Sequence, residues 1–155
     1  MLKASIQDKL TKNFIAALRD GNKTAMENFL NNAEKISIGS ETLLNVITKG
    51  GFTPLHIAME GTNDDILAFI ANHHMTNLDY KDSDGNNYMH YAMNYSNETL
   101  IRILLEKKPE LLNTENQKKE TPFQYVKELY GTDFLSNIES TIQKINFNLQ
   151  RPKIS

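Results

Sequence analysis

The sequence contains no cysteine, so disulfides, thiolate nucleophiles and Cys-ligated zinc are excluded. It also has no long apolar run. The opening Met1-Leu2-Lys3-Ala4-Ser5-Ile6-Gln7-Asp8-Lys9 lacks the uninterrupted apolar core of a signal peptide, and no segment approaches the length of a membrane span. A soluble protein is expected, with the cytoplasm its favoured location. No sign of charge dominates, since 17 basic and 19 acidic residues leave a net charge of −2. The lysine pairs Lys107-Lys108 and Lys118-Lys119 are each flanked by Glu and read as solvated surface. Without a basic stripe to neutralise phosphates, nucleic-acid binding is not expected. Nucleophile-elbow, P-loop, dinucleotide-binding and His-Glu-x-x-His motifs are missing too, so nothing points to an enzyme or a cofactor.

What is present is a repeat. Thr53-Pro54-Leu55-His56-Ile57-Ala58 returns as Asn87-Tyr88-Met89-His90-Tyr91-Ala92 and as Thr121-Pro122-Phe123-Gln124-Tyr125-Val126, a period of 34 residues. A fixed period in this range marks stacked units, each too small to bury its apolar face alone. At 155 residues the chain is long enough to build one such core without covalent staples. The Thr-Pro-Leu-His opening at this period resembles the ankyrin-repeat family, whose unit is a β-turn followed by two antiparallel helices. The resemblance implies an all-α ankyrin-repeat solenoid of helix-turn-helix units joined by β-turns. A single domain over 1–150 is expected, with units at about 5–44, 45–78, 79–112 and 113–146 and a frayed tail at 150–155. The start at Met1 speaks mildly for an intact N-terminus.

Apolar periodicity fills in the units. Ile6, Leu10, Phe14, Ala17 and Leu18 predict a helix over 5–19, and Met26, Phe29 and Leu30 a second over 24–31. Ala17-Leu18-Arg19-Asp20-Gly21 matches the spacing of Ala58-Met59-Glu60-Gly61, so this pair reads as a degenerate first unit whose Lys9 and Lys12 face water. The connection over 33–44 is longer than the period requires, and holds either a short extended segment at Ile36-Ser37-Ile38-Gly39 or an extra helical turn from Ser40-Glu41. In the next unit a helix over 54–60 is followed by Thr62-Asn63-Asp64 as a cap, with Ile66, Leu67, Phe69 and Ile70 in the core. Asp79, Asp82 and Gly85 form the next inter-repeat turn, where Gly85 suits positive φ. Ser96-Asn97-Glu98 then opens a helix that stops before Pro109. In the last unit Lys119 stands where the family prefers glycine, and helices are expected over 121–129 and 133–145.

The motif residues have local roles. Thr53 accepts a backbone N–H of the opening turn and Pro54 occupies a position needing no N–H. Leu55, Met89 and Phe123 are expected to point inward. By the resemblance, His56 and His90 bond the capping side chain and neighbouring turn backbone, and so are structural rather than metal ligands. Met59, Met93, Tyr88 and Met89 replace smaller or more regular family residues and are expected to loosen the middle repeat. His73-His74 is expected to be exposed at a helix exit.

The resemblance also implies a non-enzymatic protein-interaction module that binds a protein or peptide partner on its turn tips and opening helices, monomeric when unbound. Carried over by motif position, the partner face comprises Lys49, Phe52 and Glu60, then Lys81, Ser83, Asp84, Asn86, Asn94 and Tyr95, then Glu115, Gln117, Lys118, Glu120 and Glu128. Phe52 and Tyr95 are the expected anchors, because binding energy concentrates in aromatic side chains within a polar rim. A composition rich in Asn, Lys and Ile is compatible with a bacterial or protozoan source, and analogy with bacterial proteins of this kind suggests an effector, or a regulator of an effector, delivered into a host cell. The rival readings are an inhibitor or immunity protein that blocks one enzyme, and the ankyrin portion of a larger multidomain protein.

Overall fold

The computed structural model describes residues 1–61 and 63–152. Among these residues all regular elements are helical, and the only strand-like pairing is an isolated antiparallel bridge between Lys81 and Asn87. Contacts gather into two compact units that divide after Asn77.

The first unit opens with α1 (Leu2–Arg19) and α2 (Lys23–Lys35), which pack against one another. Helix α1 starts earlier than the expected 5–19, because Leu2-Lys3-Ala4 are good helix formers with no breaker among them. Ile6 lies on its exposed side, 43% accessible, whereas Ile15 joins Phe14, Ala17 and Leu18 in the core. The backbone reverses at Gly21, φ +68°, and Asn22 caps α2 by accepting the Ala25 N–H at 3.0 Å. Helix α2 runs past the expected end at 31 because Ala33 is fully buried and extends its inner face.

The long connection then resolves in favour of the extra helical turn, α3 (Ser40–Leu44), over the extended alternative. The Ile38 and Gly39 N–H groups both donate to the Ala33 carbonyl, and positive φ at Ser37 (+56°) and Gly39 (+86°) turns the chain. Leu43 and Leu44 are thereby buried. A carboxylate oxygen of Glu34 accepts the Ser40 N–H at 2.6 Å, closing the start of α3. Helices α4 (Pro54–Glu60) and α5 (Asp64–Asn72) complete the unit. Asn63 caps α5 by accepting the Asp65 and Ile66 N–H groups; Thr62, expected to share this cap, lies outside the described residues. Ile66, Leu67 and Ile70 are buried as expected, but Phe69 is only half-buried, with the Lys23 ammonium 5.3 Å above its ring. At about 1.5–3 kcal/mol per fully buried large side chain, Phe14, Met26, Leu43, Leu55 and Ile70 hold this unit together.

The second unit contains α6 (Tyr88–Asn94), α7 (Glu98–Lys107), a 3-10 turn (Pro109–Asn113) and α8 (Pro122–Leu149). Asn97 caps α7, accepting the Leu100 N–H at 2.9 Å, and α7 stops before Pro109 as the sequence predicts. The two helices expected over 121–129 and 133–145 are both present within α8, meeting end to end. They are separated only by a kink at Gly131, φ +82° and ψ −175°, a conformation open to a residue without Cβ. Beyond the kink, Ile138, Ile142 and Ile145 recur at helical spacing and are buried. Tyr88, Met89 and Met93 are 2%, 0% and 0% exposed, so the large replacements in the middle repeat sit inside this unit. Phe123 is half-buried and less inward than its counterparts Leu55 and Met89. Of the expected tail, residues 153–155 lie outside the described residues.

Candidate protein-binding surface

Three turns of one design lie ahead of three capped helices. In each, the N–H at the first position donates to the carbonyl four residues on: Thr48 to Phe52 at 2.9 Å, Asp82 to Asn86 at 3.1 Å, Asn116 to Glu120 at 2.9 Å. The fourth position has positive φ every time, +79° at Gly51, +79° at Gly85 and +64° at Lys119. Lys119 therefore adopts the left-handed conformation that glycine provides elsewhere, which costs an L-residue about 1–2 kcal/mol. Gly85 is required for space as well, because a Cβ there would stand 3.0 Å from the Gln117 nitrogen.

Side chains close the turns of the second unit. One Asp82 oxygen accepts the Asp84 and Asn86 N–H groups at 2.9 and 2.8 Å, and the other accepts the Tyr91 hydroxyl at 2.6 Å. Burial would raise the Asp82 pKa, but these donors together hold it below the ordinary carboxylate value. Burial and the Asp82 carboxylate push the Tyr91 phenol well above its ordinary value, so it remains a donor. Asn116 repeats the arrangement, accepting the Lys118 and Glu120 N–H groups at 2.9 and 3.0 Å. It also donates to the Asn86 side-chain oxygen at 2.9 Å, and the Gln117 N–H donates to the Asp84 carbonyl at 2.9 Å. The two turns are thus locked to each other.

Each opening helix carries a capping box. His56 Nδ1 accepts the Thr53 N–H at 3.0 Å, His90 Nδ1 accepts the Asn87 N–H at 3.1 Å, and Gln124 accepts the Thr121 N–H at 2.9 Å. With Nδ1 an acceptor, the His90 proton sits on Nε2 and donates to the Glu120 carbonyl at 2.9 Å, tying α6 to the following turn. Burial lowers the His90 pKa, opposed in part by that carbonyl. Asn87 replaces the family threonine with a reason: its Oδ1 accepts the Met89 and His90 N–H groups while its Nδ2 donates to the Leu111 carbonyl. A hydroxyl could not span both.

The expected partner residues divide accordingly. In the first unit Lys49 and Phe52 stand together on the 48–52 turn, while Glu60 lies at the far end of α4, beside a cleft of about 540 Å³ lined by Arg19, Asp20 and Asn63. Phe52 is 41% exposed and lays its ring edge-on to His56, centroids 6.0 Å apart. In the second unit Lys81, Ser83, Asp84, Glu115, Gln117 and Lys118 are exposed around the locked turns, with Glu120 half-buried beside them. Asn86 is only 7% exposed and its amide is engaged with Asp82 and Asn116, so it supports the turn rather than presenting a polar group. Asn94 and Tyr95 stand at the end of α6, about 10 Å from its start at 1.5 Å per helical residue, and Glu128 is exposed on α8. Here Asn94 accepts the Tyr130 hydroxyl at 2.6 Å, and Tyr95, Leu129 and Tyr130 are 46%, 51% and 51% exposed. Leu129 and Tyr130 were not among the expected residues. They lie at the end of the first of the two helices, just before the break at Gly131.

His73 is half-buried, not exposed, while His74 is exposed; the rings stack with centroids 4.8 Å apart. Burial and the neighbouring His74 lower the His73 pKa. No group of three or more His, Asp or Glu suited to a metal ion occurs among the described residues.

A family model for ankyrin repeats, in three copies, matches residues 14–116, two-thirds of the chain. The chain is an ankyrin-repeat protein. The match begins at Phe14, within α1, and runs through the central motifs at 53 and 87. No curated protein matches this ankyrin chain. Among solved structures it is similar to a chain from the complex of the Bd0816 predatory endopeptidase of Bdellovibrio bacteriovorus with the immunity protein Bd3460. The identity is 21%, the alignment covers 84% of this chain and 81% of that one, and the TM-score is 0.42. No helix among the described residues is long and apolar enough to cross a membrane.

Proposed function

We propose that this ankyrin-repeat protein is a non-enzymatic interaction module that binds a protein or peptide partner through exposed side chains on its turn tips and opening helices. The carrying observation is on the second unit, where Tyr95, Leu129 and Tyr130 are each about half exposed and the Tyr130 hydroxyl donates to Asn94, the neighbour of Tyr95 in the chain. Aromatic side chains held in place by a polar bond bury much area for little loss of freedom, which is the chemistry of interface anchors. Asn94 and Glu128 supply a polar rim. On the first unit, Phe52 projects from a turn fixed by the Thr48 and Gly51 hydrogen bonds.

The test is affinity capture with mass spectrometry, comparing the unaltered chain with a Phe52→Ala/Tyr95→Ala variant whose helicity by circular dichroism is unchanged. Loss of an anchor worth about 2 kcal/mol weakens binding roughly 30-fold, enough to remove a micromolar partner from the captured set. A partner retained equally by both proteins would refute the anchor assignment.

A further inference from the structure

The first unit contains a groove of about 640 Å³ that the expected partner residues touch only at Lys49. One wall is α1, where Asp8, Lys12, Ile15 and Arg19 fall along a single face at spacings of four, three and four residues. The other wall is the 46–49 segment. This wall is fixed at both ends. Asn45 donates to the Met75 carbonyl at 2.7 Å and accepts the Asn77 N–H at 2.7 Å, while Thr48 and Phe52 are bonded across the turn. The floor is apolar, formed by Ile15 and Val46, and Ile47 leaves 57% of its surface in water. Lys12, Arg19 and Lys49 surround it against the single carboxylate of Asp8, in a chain whose net charge is −2. Among the described residues none of the three cations forms an ion pair or a side-chain hydrogen bond.

We propose that this groove is a docking slot for an acidic peptide segment with an aliphatic or aromatic anchor, supplied by the protein partner; the inference rests on the protein-binding reading above. The anchor covers Ile47 and the apolar floor, and carboxylates flanking it meet Lys12, Arg19 and Lys49. Eleven residues of α1 separate Asp8 from Arg19, about 16 Å, which matches five residues of extended peptide. Asp8 repels the acidic end and so directs it toward Arg19 and Lys49. The fixed walls reduce the ordering required when the peptide binds. The three cations add attraction that falls with salt.

The full chain would be used to select from a displayed library of random dodecapeptides at physiological salt. Enriched peptides would then be titrated by fluorescence polarisation against the unaltered protein and against Lys12→Glu/Lys49→Glu, Ile47→Ser and Phe52→Ala/Tyr95→Ala variants of matched helicity. All the altered side chains are exposed, so the fold should tolerate these changes. The inference expects enriched peptides to place two or more Asp or Glu beside a Leu, Ile or Phe. Charge reversal should weaken them about tenfold or more, since it turns two attractions into repulsions, and Ile47→Ser should weaken them severalfold. Absence of enrichment, enrichment of neutral or basic peptides, or acidic peptides indifferent to the reversal would each overturn it. So would a salt-sensitive dimer by analytical ultracentrifugation that the reversal dissolves, because the occupant would then be a second copy of the chain. Peptides that need Phe52 and Tyr95 but not Lys12 and Lys49 would leave the protein-binding reading standing while removing the groove from it.

Discussion

Gly85 and Lys119 occupy the same position of two turns locked to each other, with φ of +79° and +64°, and this makes them a matched pair of opposite sign. Replacing Lys119 with Gly removes a left-handed strain of about 1–2 kcal/mol, while the more flexible unfolded chain costs back about 0.4–1 kcal/mol. Lys119→Gly is therefore expected to stabilise the protein by roughly 0.5–1 kcal/mol. Gly85→Ala runs the other way. It adds the same strain and forces a Cβ to 3.0 Å from the Gln117 nitrogen, a backbone atom held by its bond to the Asp84 carbonyl. A loss of about 2 kcal/mol follows, because the strain at positive φ is joined by a tight contact whose backbone partner must give by a few tenths of an ångström against its hydrogen bond. Urea unfolding followed by far-ultraviolet circular dichroism reads both, as midpoint shifts in opposite directions at an unchanged slope. The pair is needed because a generic sensitivity of this region would lower both midpoints. Destabilisation by Lys119→Gly, or a neutral Gly85→Ala, would refute the turn geometry and the energetic argument built on it.

Three further outcomes are expected. Tyr91→Phe removes a 2.6 Å bond to the Asp82 carboxylate and should cost about 1.5–3 kcal/mol, with the Asp82 pKa rising when followed by carboxyl NMR; an unmoved pKa would sink the assignment. Because burial holds His90 below its ordinary pKa, the unfolded chain takes up its proton first. Stability from His90 is complete above about pH 6.5 and is lost as the pH falls through the folded pKa, with a slope of at most about 1.4 kcal/mol per pH unit. His90→Gln, which keeps an acceptor for the Asn87 N–H as Gln124 does for Thr121, should flatten that slope, and an identical pH profile for the two proteins would contradict it. Phe14→Ala empties a fully buried site in the first unit and should cost about 3–5 kcal/mol by the same urea assay, whereas a loss under 1 kcal/mol would mean that Phe14 is not core.

The repeat was legible because its physics is local. A side chain three residues before a backbone N–H can cap it, a proline at the first helical position gives up no bond, and apolar residues at helical spacing need a neighbour. Those rules, applied to the residues at 53, 87 and 121, marked the helix starts; the all-α ankyrin class came from the resemblance of the repeated motif to that family, and the family match over 14–116 agrees. The same resemblance marked position 119 as one where glycine is preferred, and its φ of +64° shows why. The departures arise where a choice depends on distant atoms. Asn86 reads as an exposed tip residue until Asn116, thirty positions later, takes its amide into the turn. Helix α2 outruns its asparagines because Ala33 finds a buried place, and Leu129 and Tyr130 are left in water at the end of a helix; the break at Gly131 itself falls where the pattern placed it, between two helices. Lys12, merely a solvated lysine in the sequence, shares a groove with Lys49 only because the first unit folds back on itself. Periodicity and capping chemistry in the sequence determined which segments are helices and how they begin; tertiary packing decided which polar groups bond inside and which remain exposed, because that depends on what the chain brings within hydrogen-bonding distance.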